Sequence, residues 1–514
     1  MKTNLAGPEF ESRVLTFFAL GGSGARAVEP LLHLCAMGLG PRRLTIVIVD
    51  PDQANEGVTR ARRLIELYRR TRDELGGGAN LPGYFRTELL DPVSDTLVWS
   101  PIADDEHLPN TRFAARVDRN AMGDRGALGR LYDLLFAERI RDMDLGMGFR
   151  GVPAIGTVFM HRLRTQRFFE QILQQAPQEP DSVFFSVGSI FGGTGAAALP
   201  VVGRALSTGL RGVEPRPDIP GIDPRRLGAA LLLPYFTLPS PRAGDAPGEL
   251  RPETSLFAQN AAAALPTYVR GDARYGGMYV LGDSEPREQD ANAIGGEAQR
   301  NASHYIELFA ALAALDFAAR GGEARGQKGP VFRATAVRST NVGWDDLPLA
   351  GASLRRMMGA LVAAHTFLTV FRPDGKPRPE LAHVLAGATW LELLRMSPAQ
   401  LERHSAALDA LGAYYAEMWG WLRDLRGSTP ALEVANATDR PPSQISLHQT
   451  LRHPGGGQGG REKKFTDPFQ VFRAWNEEAH AERPPAGLPG MLEVMRRGSE
   501  GFAEEWFGAP AKER

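Results

Sequence analysis

The chain has a single cysteine, Cys35, among 514 residues, which excludes an intrachain disulfide and a thiolate metal site. Its ten histidines are scattered, with no HExxH and no close His–carboxylate pair at metal-ligand spacing. No apolar run reaches the ~18 residues of a membrane-spanning helix, and the N-terminal MKTNLAGPEFESR has no signal-peptide apolar core. The expectation is a cytoplasmic protein without a membrane span. Charge of one sign is missing as well. Lys+Arg number 59 against 60 Asp+Glu, a formal net charge of -1, which argues against a nucleic-acid partner. The one local basic run, Arg60, Arg62, Arg63, Arg69, Arg70 and Arg72, is interleaved with Leu64, Ile65 and Leu67 and reads as the solvated face of a helix. There is no internal repeat.

What is present is an ordinary globular composition, 43% hydrophobic and 23% charged, over a length that implies two or three domains. From Val14 to about Phe317 short apolar runs alternate with helical stretches, the pattern of an α/β domain with a mostly parallel sheet. The expected strands are Val14–Leu20, Leu44–Val49, Ser182–Val187, Leu227–Leu233 and Met278–Leu281. The expected helices are Ala25–Met37, Gly57–Leu75, Leu128–Arg141, Val158–Gln175, Ala196–Ser207 and Thr254–Tyr268, with a long one at Glu297–Ala319. Gly76–Asp124, rich in Gly, Pro and Asp, reads as long loops with short elements. Beyond Gly351 strand-like alternation nearly vanishes. Leu354–Val370, Glu380–Met396 and Pro398–Leu425 read as amphipathic helices with Trp390, Trp419 and Trp421 as core. Asp439–Lys464 reads as a flexible linker and Gly490–Phe507 as a helical tail. The expected division is an α/β domain over 1–350, a helical domain over 351–435, and linker plus tail over 436–514.

Two glycine-rich turns each lie between a buried-strand pattern and a helix. Gly21-Gly22-Ser23-Gly24-Ala25-Arg26 follows the first strand, and Phe191-Gly192-Gly193-Thr194-Gly195-Ala196-Ala197 follows Ser182–Val187. Strand, glycine turn, helix aims backbone N–H groups and a helix N-terminus at an anion. A third glycine segment is Leu145–Gly156, and Asp50-Pro51-Asp52-Gln53-Ala54-Asn55 ends the second strand. Ligands of open α/β sheets gather at the carboxyl ends of the strands, where all four can converge on one nucleotide. Each piece also has a plainer reading. Gly21–Arg26 suits a ligand-free tight turn, Asp52 a helix N-cap, Asn301 a helix start, and Asp345 with Asp346 a helix cap.

In content and order these segments resemble the tubulin/FtsZ superfamily of GTP-binding proteins. The family's first glycine loop is similar to Gly21–Val28, its second loop to Asp50–Ala54 and its third to Leu145–Gly156. Its GGGTG[ST]G signature is similar to Phe191–Ala197, followed by Ala198-Leu199-Pro200. Leu231–Phe236 and Met278–Asp283 resemble later strands of the family, and Glu297–Ala319 its central helix, with Asn301 where the guanine edge is read. Asn341-Val342-Gly343-Trp344-Asp345-Asp346-Leu347 resembles the loop that completes a neighbouring subunit's site. The resemblance runs colinearly from Val14 to Leu347. Departures are Phe191 and Ala197 for signature glycines, Arg26 for an asparagine, Gly343 for an acidic residue, and helices where the family has a β-rich second domain.

The resemblance implies a divergent prokaryotic tubulin-like protein, neither a cell-division FtsZ nor a true tubulin. It implies GTP or GDP as the ligand, with magnesium. Gly21, Gly22, Ser23, Gly24, Asp52, Gln53, Gly146, Gly148, Gly192, Gly193, Thr194, Gly195 and Asn301 would contact the nucleotide, and Asp52 would hold magnesium through water. Asp346, with Asn341, would act on the nucleotide of an adjacent copy in a homo-oligomer or filament. The missing acid at Gly343 implies a slow GTPase. Two alternatives stand beside it. One is a non-catalytic scaffold whose helical C-terminal region recruits a protein partner. The other is a dinucleotide-dependent oxidoreductase, with Asp50 as the ribose-binding acid.

Overall fold

Runs of apolar, largely β-branched and aromatic residues build one sheet from β1 (Val14–Leu20), β2 (Arg43–Val49), β3 (Glu88–Leu90), β4 (Val98–Trp99), β5 (Ser182–Ser189) and β6 (Leu227–Leu232). A short pair, β7 (Phe236–Thr237) and β9 (Arg287–Glu288), stands apart, while β8 (Gly277–Leu281) and β10 (Val331–Arg333) complete the main sheet. The computed structural model describes residues 2–77, 81, 83–91, 98–102, 111–123, 126–212, 217–239, 251–289, 296, 301–322, 329–334, 341–371, 389–427, 431–434 and 469–507. The spatial order is β10-β8-β6-β5-β1-β2-β3, with β4 also on β2. Neighbouring strands run parallel, Val14 opposite both Arg43 and Ser182. Every residue of β1, β5 and β6 is buried, as a parallel sheet covered on both faces requires. All five expected strands are present. The shorter β3, β4, β7, β9 and β10 carry too few residues to show a period.

The helices of this part are α1 (Pro8–Glu11), α2 (Gly21–Arg26), α3 (Val28–Ala36), α4 (Glu56–Glu74), α5 (Phe113–Arg116), α6 (Ala127–Leu135) and α7 (Glu138–Arg141). Then come α8 (Pro153–Met160), a 3-10 turn at His161–Thr165, α9 (Arg167–Gln175), α10 (Thr194–Thr208), α11 (Phe257–Val269) and α12 (Tyr305–Ala319). The expected helix Leu128–Arg141 is divided into α6 and α7, the expected Val158–Gln175 into the end of α8, the 3-10 turn and α9, and three further boundaries differ from expectation. The first glycine turn is itself helical and breaks at Ala27, so α2 begins at Gly21. Pro153 starts α8, so Gly156 lies inside a helix rather than in the third loop. The central helix begins at Tyr305, where His304 and Glu307 form reciprocal caps, leaving Asn301 ahead of it. Residues 297–300 lie outside the described residues. Burial runs from Tyr305 through Ala318, right round α12, the mark of a core helix.

The C-terminal region is helical as expected: α13 (Gly351–Val370), α14 (Thr389–Leu393), α15 (Pro398–Arg403), α16 (Ser405–Arg426), α17 (Phe469–Ala481) and α18 (Leu488–Phe507). His404 divides the expected Pro398–Leu425 helix, and α17 was not foreseen. The expected linker at Asp439–Lys464 and residues 380–388 fall outside the described residues. Trp390, Trp419 and Trp421 are buried. The buried side chains of α13 and α16 are continuous with those of the sheet. Tyr414 and Trp421 of α16 enclose His33 of α3 at ring distances of 5.6 and 4.8 Å.

That docking alters the reading of the basic run. The arginines of α4 meet acidic residues of α16: Arg60 with Asp424 at 3.2 Å, Arg63 with Glu417 at 2.7 Å, Arg70 with Asp409 at 3.3 Å. The face remains partly solvated, Arg63 and Arg70 being 61% and 57% exposed, but its arginines also pair with a helix more than three hundred residues away.

Candidate functional site

The chain steps from β1 to β2 and β3 on one side and resumes at β5 on the other. The crevice at the carboxyl ends of β1 and β5 is therefore the topological switch point, where open α/β sheets bind ligands. Both main glycine turns open into it. A Cβ on Gly21 would stand 3.0 Å from the Gly195 nitrogen and 3.1 Å from the Thr194 Cβ. Gly22 faces the Asn55 side chain, and Gly193 abuts the Gly151 nitrogen and Phe149 backbone at 3.0 Å. All four expected segments thus converge.

The glycines divide into two kinds. Gly24 and Gly195 have no room for a side chain: a Cβ would lie 2.5 Å from the Val187 carbonyl oxygen and 2.7 Å from the Ser189 backbone. They let the first turns of α2 and α10 sit directly on the strand ends. Gly22 and Gly148 have space, the nearest neighbour of Gly22 being Asn55 at 3.4 Å and Gly148 having none within 4 Å. Gly21 and Gly148 adopt φ of 74° and 83°, which a side chain disfavours.

Amide availability separates the turns further. The N–H groups of Gly192, Gly193, Thr194 and Gly195 have no hydrogen-bond partner among the described residues, and no side chain caps α10. They form a row of open donors at the positive end of a helix dipole. In the third turn, by contrast, the Gly146 N–H donates to Asp144 (2.9 Å) and the Gly148 N–H to the Leu145 carbonyl (3.1 Å). Phe191, which departs from the family signature, packs on Phe257 at 4.8 Å, and its carbonyl accepts from Asn260 at 3.2 Å. The second turn is anchored at Phe191 by an aromatic cluster.

Behind α2 lies a buried polar network that the sequence did not reveal. Arg26 donates to the Ala302 carbonyl and pairs with Glu307, both at 2.6 Å. Tyr235 donates to Glu307 at 3.2 Å and meets the Ser23 hydroxyl. Burial acts to lower the Arg26 pKa, and Glu307, Tyr235 and Glu56 together more than offset it, leaving the guanidinium above its ordinary value. Burial likewise raises Tyr235, reinforced by Glu307. Glu29 receives Arg60 (2.8 Å) and Ser303 (3.0 Å), extending the network to α4 and, through Asp424, to α16. The signal available in sequence was Arg26 itself, a cation directly after a glycine turn.

At the end of β2, Asp50 is buried, and burial pushes its carboxyl up to about 8 although it accepts the Asp52 N–H. Asp52 is buried too, accepting from Gly296 at 2.7 Å and Ala54 at 3.2 Å. Gln53 is exposed, and Asn55, not Asp52, caps α4. The Asn301 N–H donates to Glu56 at 2.9 Å, and Asn301 borders a cavity of about 10 Å³, room for one water, with Arg26, Glu29 and Arg60. Among the described residues there is no cluster of three metal-ligating side chains. A single carboxylate fits magnesium held mainly by phosphate oxygens and water, the role expected of Asp52.

Asn341 and Asp346 are not brought to the glycine turns of their own chain. Asn341 donates to Glu433 at 2.9 Å and accepts from Ala431, while Asp346 accepts the Gly343 N–H at 2.9 Å. Leu349, just beyond, bridges to Thr3, whose hydroxyl donates to Asp316 near the C-terminal end of α12.

No protein-family model matches the chain, and no curated protein matches it. Among solved structures the chain is similar to CetZ1 from Haloferax volcanii, a GDP-bound monomer, with 14% identity and a TM-score of 0.24. That match covers 52% of this chain and spans only half, 50%, of the other. It is also similar to CetZ2 from Haloferax volcanii in a GTPgS-bound protofilament, with 14% identity and a TM-score of 0.27, over 70% of this chain and 73% of that one.

Proposed function

We propose that the chain is a tubulin-like protein that binds GTP or GDP with its phosphates at the carboxyl ends of β1 and β5. One observation carries this reading: the open amides of Gly192–Gly195 face the Gly21 turn at the switch point. Such a row binds phosphate oxygens through oriented donors and a helix dipole, and the Thr194 hydroxyl adds another donor. Gly22 and Gly148 leave space for the diphosphate and terminal phosphate. Guanine as the base follows from the family resemblance. Magnesium, held through water by Asp52, would neutralise phosphate charge. Phosphoryl transfer to water needs positioning and charge neutralisation more than covalent help.

Hydrolysis and assembly form the finer part of the proposal. Asp346 and Asn341 of one copy would orient water on the nucleotide of the next, in a head-to-tail homo-oligomer or filament. α12 starts beside Arg26 and ends beside Thr3 and Leu349, so the segment carrying Asp346 leads to the pole opposite the glycine turns. That favours action in trans. Gly343 in the place of an acid favours slow turnover. The dinucleotide alternative loses support from Asp50, whose buried, protonated carboxyl is a poor ribose anchor.

Thermal unfolding with GTP, ATP, NAD or no addition tests the reading. A rise with GTP, weakened by Thr194→Ala, is expected. A rise with NAD alone would overturn it. Phosphate release per molecule should climb with protein concentration, and a constant specific rate would reject the trans role of Asp346.

A further inference from the structure

α8 and α10 run side by side away from the glycine turns. Near those turns they touch so closely that a Cβ on Gly156 would lie 2.6 Å from the Ala197 Cβ. Toward their far ends they part, opening a cleft of about 730 Å³. Its polar lining includes three arginines, Arg164 following α8 and Arg204 and Arg211 from α10 and the loop beyond, beside His161, Thr157 and Thr208. Its apolar lining includes Val201 and Pro220. Among the described residues no carboxylate lines it, and none of the three guanidiniums has a carboxylate partner. The Arg164 Nη2 donates to the carbonyls of Gly209 (2.8 Å) and Arg211 (3.2 Å), and its Nε is buried without a partner. Arg204 makes only a long contact, 3.4 Å, to the Asp272 carbonyl. The nearby Asp218 is occupied by the Gly212 N–H.

Three guanidiniums around one space, the half-buried Arg164 among them with a buried unpartnered Nε, suit an anionic occupant. The volume is that of a small-ligand pocket, and the chain's net charge of -1 disfavours nucleic acid as the occupant. We infer that this cleft is a second anion site, taking a small organic phosphate. Its centre lies about 14 Å along α10 from the Gly192–Gly195 turn. The inference does not depend on the nucleotide reading, and its test uses variants that separate the two.

The probe is 2,3-bisphosphoglycerate, titrated calorimetrically into the full chain at low ionic strength. Saturable binding is expected, weakened about tenfold or more by Arg204→Glu with Arg211→Glu, since each charge-assisted hydrogen bond lost is worth about a factor of ten. Gly22→Ala at the glycine turns, and Arg403→Glu as a surface-charge control, should leave affinity unchanged. Circular dichroism and melting confirm that each variant is folded. Absence of binding, equal weakening by Arg403→Glu, or loss on Gly22→Ala would overturn the proposal. Binding of a hexaglutamate peptide in place of the bisphosphate would do so too, assigning the cleft to a protein partner.

Discussion

Arg26 Nη2 stands 2.6 Å from Glu307 Oε1, with only 10% of the arginine and 2% of the glutamate side chain exposed. This pair ties the last turn of α2 to the first turn of α12, so the first glycine turn and the central helix are positioned by one ionic contact. Tyr235 and the His304 N–H bond to the same carboxylate, satisfying the lone pairs left by the arginine.

Arg26→Ala strands a buried carboxylate, so a loss of about 3 kcal/mol or more is expected in urea unfolding. Arg26→Ala with Glu307→Gln should cost less than the sum of the two single changes. Additive losses would show that the contact contributes no coupling.

Gly22→Ala and Gly195→Ala should diverge. The Gly195 Cβ would meet backbone at 2.7 Å, so about 1–3 kcal/mol of stability is lost. Gly22 is helical with room for a methyl group, so Gly22→Ala should leave the ligand-free protein within about 1 kcal/mol of the parent, by chemical denaturation, while weakening GTP binding. Undiminished GTP affinity would remove Gly22 from the site.

Asp50 should make stability fall as pH rises. Its folded pKa of about 8 lies above the 3.8 of an ordinary solvated aspartate, so the folded state keeps a proton that the unfolded state releases. Its contribution is complete below about pH 4, declines through neutrality and levels off above about pH 8. Asp50→Asn retains the acceptor for the Asp52 N–H and should flatten that decline, with its largest gain at and above about pH 8. Melting across this range checks it; an unchanged slope would mean that Asp50 is ionised in the fold.

The ion pairs joining α4 to α16 should be unequal. Arg63 is 61% exposed, and Arg63→Ala should cost less than about 1 kcal/mol, diminishing in salt. Arg60 also neutralises Glu29, 7% exposed, so Arg60→Ala should cost about 3 kcal/mol and respond little to salt. Urea unfolding at low and high KCl distinguishes them, and equal losses would contradict the burial argument.

The sheet was legible from the chain because parallel strands buried on both faces are written as unbroken apolar runs. Val14–Leu20 was matched end to end. The glycine turns were legible because three glycines around Thr194 are costly to order unless backbone must approach backbone or ligand. The short strands Glu88–Leu90 and Val331–Arg333 were not, since three residues show no period and their pairing is supplied by β2 and β8. Asn301 was assigned to a helix because its surroundings are helix-compatible. The cap at His304, set by contacts with Glu307, ends that possibility.

By itself the sequence determined the five longer strands, which turns are glycine-rich, and that the C-terminal region is helical, because these depend on neighbours within a few residues. Only tertiary structure decided the rest. It made Gly195 a packing glycine and Gly22 an open one, and turned the basic face of α4 into a docking surface. It also set Arg26 on Glu307 and left the Gly192–Gly195 amides open while engaging those of Gly146 and Gly148. Each of these depends on which distant atom comes within about 3 Å, the range over which hydrogen bonds and steric exclusion act.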